Sequence, residues 1–278
     1  MQEINTEIVN TPMQIGELVD WLILHHASSE PSKPTMYIDL EGVNLCREGS
    51  VSILTLLIDT GIPTTTRVCL VDVHTLGSQA FETPGTQEKT LKDVLQDEAI
   101  PQVFFDVRND SDALFAHFGV ALQGVEDVQV MESAARKMTN SRRLLNSLAK
   151  CVEQGGLDAS DRETWKVAKE KRKRLFKPAL GGSFEVVEQR PVPDEIVAYC
   201  VGDVQCLPVL WTKFRCVSST LRDLVNEETK RRIESTHELG YNPHGREKAL
   251  ARWSRENNRI LDELNCVPPS QQLDEDDG

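Results

Sequence analysis

The 278-residue chain is 39% hydrophobic and 27% charged, which is enough to bury one substantial core at the upper edge of single-domain size. Its net charge of −13 excludes a protein that coats nucleic acid through bulk electrostatics, so a nucleic-acid function requires a local basic patch. No stretch approaches the roughly 18 apolar residues of a membrane span, MQEINTEIVN lacks a basic and apolar leader, and the seven cysteines form no Cys-x-x-Cys pair; a soluble protein of a reducing cytoplasm or nucleus is expected.

Gln14 to His26 places Ile15, Val19, Leu22 and Ile23 at helical spacing before SSEPSKPT breaks the pattern, so residues 1–35 read as a helix and a loop. Met36 to Glu41, Ser50 to Asp59 and Arg67 to Asp72 are short Val-, Ile- and Leu-rich runs with turn residues between them, the pattern of a three-stranded meander. VFFDV and DVQVM then read as buried strands, and DALFAHFG and RLLNSLAKCV as helices. Beyond Ser160 the chain is mostly helical: a basic segment at Lys166 to Lys177, the connection PALGGSFEVVEQRPVP, a helix from Asp194, and an amphipathic pattern over Arg246 to Leu264. The fold class is α/β: a mixed sheet of about five strands flanked by helices over 36–215, a helical extension over 216–265, and an acidic tail at 266–278 without expected order.

Three acidic motifs carry chemical content. In YIDLEG, Asp39 and Glu41 stand two apart and share a strand face. Two ionised carboxylates at a buried strand end repel and are costly to desolvate, so a divalent cation between them is the economical explanation, with a solvated strand end as the alternative. In FFDVRNDSDALFAHFG, Asp110 lies near a helix N-terminus, where it can also serve as a cap, and Asp106 and Asp112 are rivals for a metal role. In AYCVGDVQCLPVLW, Tyr199 and Asp203 are four apart on one helix face, an arrangement a core-edge Tyr beside an exposed Asp also satisfies.

Order and context make these a set: a strand-end Asp-x-Glu, an Asp after a later strand, then Tyr-x-x-x-Asp on a helix. The set resembles the 3′-to-5′ exonucleases with four acidic residues and a tyrosine on a ribonuclease H-like fold. YIDLEGVNLCREGSVSILTL, VFFDVRNDSDALFAHFGV and LFKPALGGSFEVVEQRPVPDEIVAYCVGDVQCLPVLW are similar to the ribonuclease D-type branch and its egalitarian-like members, over roughly Met36 to Phe214. The resemblance makes Asp39, Glu41, Asp110 and Asp203 metal ligands and Tyr199 the residue orienting the attacking water. All five positions are filled, although some relatives have lost these acids and serve only as binding modules; Phe105 stands where many carry a histidine.

Hard oxygen ligands without a His or Cys cluster favour two Mg²⁺ or Mn²⁺ ions. The implied reaction is release of nucleoside 5′-monophosphates from the free 3′ end of single-stranded RNA or DNA. The alternative is a non-catalytic nucleic-acid- or protein-binding scaffold.

Candidate strand contacts are Val43, Asn44 and Leu45 after the first motif, Arg108 and Asn109 beside the second, and Lys166, Lys169, Arg172 and Lys173 in the basic segment. Arg136, Lys137, Arg142 and Arg143 form a second basic cluster. Arg246, Lys248 and Arg252 can extend the surface, while Leu250 and Trp253 can dock their segment on the domain. Gly181 and Gly182 would let the loop before Tyr199 close as a lid, or it is a static connection.

Overall fold

A computed structural model describes residues 5–28, 33–60, 66–156, 159–176, 178–215 and 218–266. Most of the expected acidic tail, and the side chains of Arg172 and Lys173, lie outside the described residues.

Strands β1 (Asn5–Val9), β2 (Met36–Glu41), β3 (Ile53–Ile58), β4 (Arg67–Val71), β5 (Gln102–Phe104) and β6 (Val125–Asp127) form one sheet in the order β1-β4-β3-β2-β5-β6. The expected meander is β2-β3-β4, antiparallel throughout, with Asp39 opposite Thr55 and Glu41 opposite Ile53. β5 and β6 extend the sheet in parallel beyond β2, and β1 pairs in parallel with β4, making the sheet mixed. β1 is the strand beyond the expected five. Only Val9 of its five residues is buried, so the segment offers no alternation to read.

The longer helices are α1 (Pro12–Ser28), α2 (Arg108–Phe118), α3 (Val128–Ala134), α4 (Ala159–Phe176), α5 (Asp194–Gln205), α6 (Leu207–Phe214), α7 (Ser219–Thr236) and α8 (Arg255–Cys266). Three expectations are corrected. The run VQVM is helix α3, not strand: Asp127 accepts the Gln129 N–H and caps it, and complete burial of Val128–Ala134 erases the periodicity that separates helix from strand. RLLNSLAKCV is helical only from Leu148, α over Leu148–Cys151 with Val152 opening a π-helical turn, because Leu144 bridges to Leu250 instead. That bridge also divides the pattern from Arg246 to Leu264 into a 3-10 turn, Arg246–Ala249, and α8.

Alternation along β2 positions the acidic pair. Met36, Ile38 and Leu40 enter the core beneath α1, whereas Tyr37 enters the opposite core beneath α5 and α6 with Ile196, Cys200 and Val204. Asp39 and Glu41, at the same parity as Tyr37, therefore leave the strand on the α5 side. α7 joins both cores, with Ile233 in the first and Val225 in the second, which attaches the C-terminal segment to the domain. Among the described residues, no helix is long and apolar enough to cross a membrane.

Candidate metal centre

Gly42 follows Glu41 where a side chain cannot fit: a Cβ there would lie 1.9 Å from the Ser50 carbonyl oxygen. The turn it permits returns the chain so that the Ser50 N–H donates to Val43 O at 2.9 Å, and leaves Asp39 and Glu41 at the open end of β2. One carboxylate oxygen from each of Asp39, Glu41 and Asp203 lies within 4.8 Å of the others. Tyr199, one turn before Asp203 on α5, hydrogen-bonds to Glu41, and its ring packs on Phe176 at the end of α4, centroids 4.8 Å apart.

Asp110 approaches this trio from α2. It is not a cap: α2 starts at Arg108, its N-cap Val107 makes no side-chain cap bond, and Asp110 is only 8% exposed. Hydrogen bonding from the Leu40 backbone, between the two acids of the first motif, reaches its carboxylate. Asp110 therefore lies beside the trio of Asp39, Glu41 and Asp203 without joining it, and its charge acts on Asp39 and Glu41. Burial, then the charges of Glu41, Asp203 and Asp110, holds Asp39 well above the usual carboxylate range. Burial and Asp203 push Glu41 up to about 8, against the Tyr199 hydrogen bond. Burial and Asp106 push Asp110 up to about 7. Burial and the three neighbouring carboxylates also push Tyr199 upward, so it stays a phenol.

A divalent cation fits these residues. Asp39 Oδ2 is buried without a hydrogen-bond partner, an arrangement that costs free energy until a donor or cation meets it. The donors are all hard oxygens, the set that suits Mg²⁺ or Mn²⁺.

The rival acids have other partners. Asp106, at φ 61°, forms a fork-to-fork pair with Arg108, Nε to Oδ1 at 2.5 Å and Nη2 to Oδ2 at 2.8 Å. Burial opposes its charge, but Arg108, Arg232 and Lys248 outweigh burial and hold its carboxyl low. Asp112 accepts the Arg47 backbone N–H at 2.8 Å and its Nε at 2.6 Å, tying the loop after the first motif to α2. Sequence reasoning missed Arg47, whose partner is 65 residues away.

The expected strand contacts separate. Asn44 is exposed at φ 51°, Val43 is half-buried, and Leu45 packs against the α1-side core. Arg108 is 7% exposed, and Asn109 accepts from Lys248. Lys166 is exposed, while Lys169 lies over the Trp165 ring at 4.3 Å. Two members of the second basic cluster have internal partners instead: Arg136 pairs with Glu132, and Arg142, 1% exposed, pairs with Asp262 and Asn258. Trp253 docks as expected, donating to Ser133 Oγ at 3.0 Å, whereas Leu250 is 42% exposed.

Residues 22–217 match the 3′-5′ exonuclease family, and the chain belongs to it. Over 113 residues the chain is 33% identical to piRNA biogenesis protein EXD1 of Mus musculus, a match covering 41% of this chain and 18% of that protein. Homo sapiens EXD1 matches at 33% identity over 41% of this chain and 20% of its own length. The match therefore spans about a fifth of these curated relatives. Among solved structures, Trypanosoma brucei RNase D superposes with TM-score 0.65 at 21% identity, covering 94% of this chain and 71% of that chain in its GMP complex. Its complex with RNA U12 gives the same TM-score and identity over 95% and 79%. Escherichia coli RNase D gives TM-score 0.52 at 15% identity over 85% and 52%. These likenesses show the fold.

Proposed function

We propose that this chain removes nucleotides from the free 3′ end of single-stranded nucleic acid, RNA ahead of DNA, releasing nucleoside 5′-monophosphates. The observation that supports this reading is the meeting of Asp39, Glu41 and Asp203, with Asp39 Oδ2 buried and unpartnered, Tyr199 on Glu41, and Asp110 beside the trio. Asp39, Glu41, Asp110 and Asp203 would hold two Mg²⁺ or Mn²⁺ ions. Bound there, the metal supplies Lewis-acid stabilisation of charge on the phosphate oxygens and lowers the pKa of water. The preference for RNA rests on the RNase D likeness and on the RNA bound in the solved complex.

Within this scheme the protein's own groups position the reactants. Tyr199 remains protonated, and its hydroxyl, placed at Glu41, would orient the attacking water there. Burial and their mutual repulsion favour protons on Asp39 and Glu41, and a bound cation would favour the ionised carboxylates instead. Asn44 on the exposed turn and Lys166 on α4 are the proposed contacts to the strand near the site.

The test is incubation with 5′-labelled single-stranded RNA and DNA in Mg²⁺, Mn²⁺ or EDTA, beside Asp39→Ala. A metal-dependent ladder shortening from the 3′ end, absent in the variant, is expected. Binding without cleavage of either strand would replace the nuclease by the scaffold.

A further inference from the structure

The end of α7 and the following segment, with Arg108 of α2, line a cavity of about 180 Å³. Its lining includes Arg108, Arg231, Arg232, Lys248 and Arg252, a concentration of cations in a chain whose net charge is −13. Three of these are answered by carboxylates: Arg108 by Asp106, and Arg231 and Arg232 by Glu228. Among the described residues, Lys248 and Arg252 have no carboxylate within ion-pair distance, although Glu238 and Glu247 also line the cavity. Lys248 is held by neutral oxygens instead, Asn109 Oδ1 and Pro243 O, the first belonging to the residue before Asp110.

Tyr241 gives an independent sign of a missing partner. It lines the same cavity, and its hydroxyl oxygen is buried with no hydrogen-bond partner. A buried hydroxyl left without an acceptor is costly, and an anionic acceptor would answer it. The volume limits what that acceptor can be. Pockets that hold a whole small-molecule ligand run to roughly 300–1,000 Å³, so this smaller cavity suits a phosphate with part of a sugar and leaves the rest of the ligand outside. Leu144 and Leu250, bridged to each other and 57% and 42% exposed, provide an apolar shelf next to it.

We propose that this cavity takes a backbone phosphate of the single strand whose 3′ end lies at the acidic site, with Lys248, Arg252 and the Tyr241 hydroxyl as its donors. The inference rests on the nuclease reading only in that the chain must hold a nucleic-acid strand. It answers how an acidic protein does so: the cation that approaches the strand is joined, through Asn109, to the turn that carries Asp110.

The test measures binding separately from cleavage. Anisotropy titrations of 5′-labelled single-stranded RNA in EDTA compare the wild type with Arg252→Ala, Tyr241→Phe and the double variant, and with Arg259→Ala, an exposed arginine of α8, as control. Arg252 is exposed and unpaired and Tyr241→Phe removes one oxygen, so the melting temperature verifies that each variant folds. The double variant is expected to bind about tenfold more weakly, with the slope of log K against log salt reduced by about 0.7 for the one phosphate lost; Arg259→Ala is expected to leave both unchanged.

Unchanged affinity and slope in the double variant would overturn the proposal. So would protection by a nucleoside monophosphate alone that the double variant loses while strand binding stays intact, since the cavity would then serve a free nucleotide. A wild type that binds RNA with this dependence yet cleaves nothing would overturn the nuclease reading and leave the cavity assignment standing.

Discussion

Arg232 Nη1 donates to Asp127 Oδ2 at 2.9 Å across 105 residues, with both side chains almost wholly buried. Asp127 also accepts the backbone N–H groups of Asp106 and Gln129, at 2.9 Å each, and of Val107 at 3.4 Å. One carboxylate therefore ties α7, the start of α3 and the turn that begins α2, and with that turn the position of Asp110. Removing Asp127 leaves Arg232, of its ion pairs, only the longer contact to Glu228, at 3.5 Å, and strands the backbone N–H groups that the carboxylate accepts. Asp127→Ala is expected to lower stability by about 3–5 kcal/mol, read as a fall in the urea midpoint; a loss below about 1 kcal/mol would show that α2 holds its place without it.

How much of this was legible follows from the range of each interaction. Asp39, Glu41, Tyr199 and Asp203 were readable because their pairs stand two or four residues apart on regular elements, and the meander because its strands are bounded by turn residues. In the sequence only the family resemblance favours Asp110 over Asp106 and Asp112, since what separates them physically is Arg108 on one and Arg47 on the other. Arg108, read as a strand contact, is mostly buried against Asp106 two residues away, a pairing set by the turn between them, and Arg142 against Asp262, 120 residues away; a sequence shows the cation but neither the turn nor the distant acid. β1 and α3 escaped for opposite reasons, the first too exposed and the second too buried to show a period.

Tyr199 is placed by two contacts of different kinds, a hydrogen bond to Glu41 and ring packing on Phe176. Tyr199→Phe keeps the second and removes the first. Turnover is expected to fall about 10- to 100-fold, the scale of losing one positioned group near the reacting water, with Mn²⁺ affinity unchanged in a direct titration. An unchanged single-turnover rate would remove the tyrosine from the reaction.

The connection before α5 is pinned at its second half. Arg190 reaches Asp72 through Nε at 2.7 Å and Nη2 at 2.6 Å, and donates to Ser52 O and Val187 O; Ser50 Oγ donates to Glu188 Oε1 at 3.0 Å. A lid pivoting at Gly181 and Gly182 would have to end before Phe184. Arg190→Ala strands Asp72, 3% exposed, and is expected to cost about 2–4 kcal/mol and to speed amide exchange over residues 184–192. Exchange already fast there in the wild type would contradict the pinning.

The acidic site makes the metal-free protein sensitive to pH in a defined direction. Burial and Asp203 move Glu41 from 4.5 to about 8, and burial with Asp106 moves Asp110 from 3.8 to about 7. Because both folded values lie above the unfolded ones, the folded state binds more protons than the unfolded chain between these limits. That contribution to stability is fully present below pH 4 and is lost as pH rises through 7 to 8. A divalent cation favours the ionised carboxylates and reverses the trend. The melting temperature in EDTA is therefore expected to fall between pH 5 and 8, and the gain on adding Mn²⁺ to be larger at pH 8 than at pH 6. Asp203→Asn removes the charge acting on Glu41 and should flatten the EDTA profile. A profile equally steep in that variant would assign the shift to burial alone, and a metal gain that does not grow with pH would mean the four carboxylates are not the ligands.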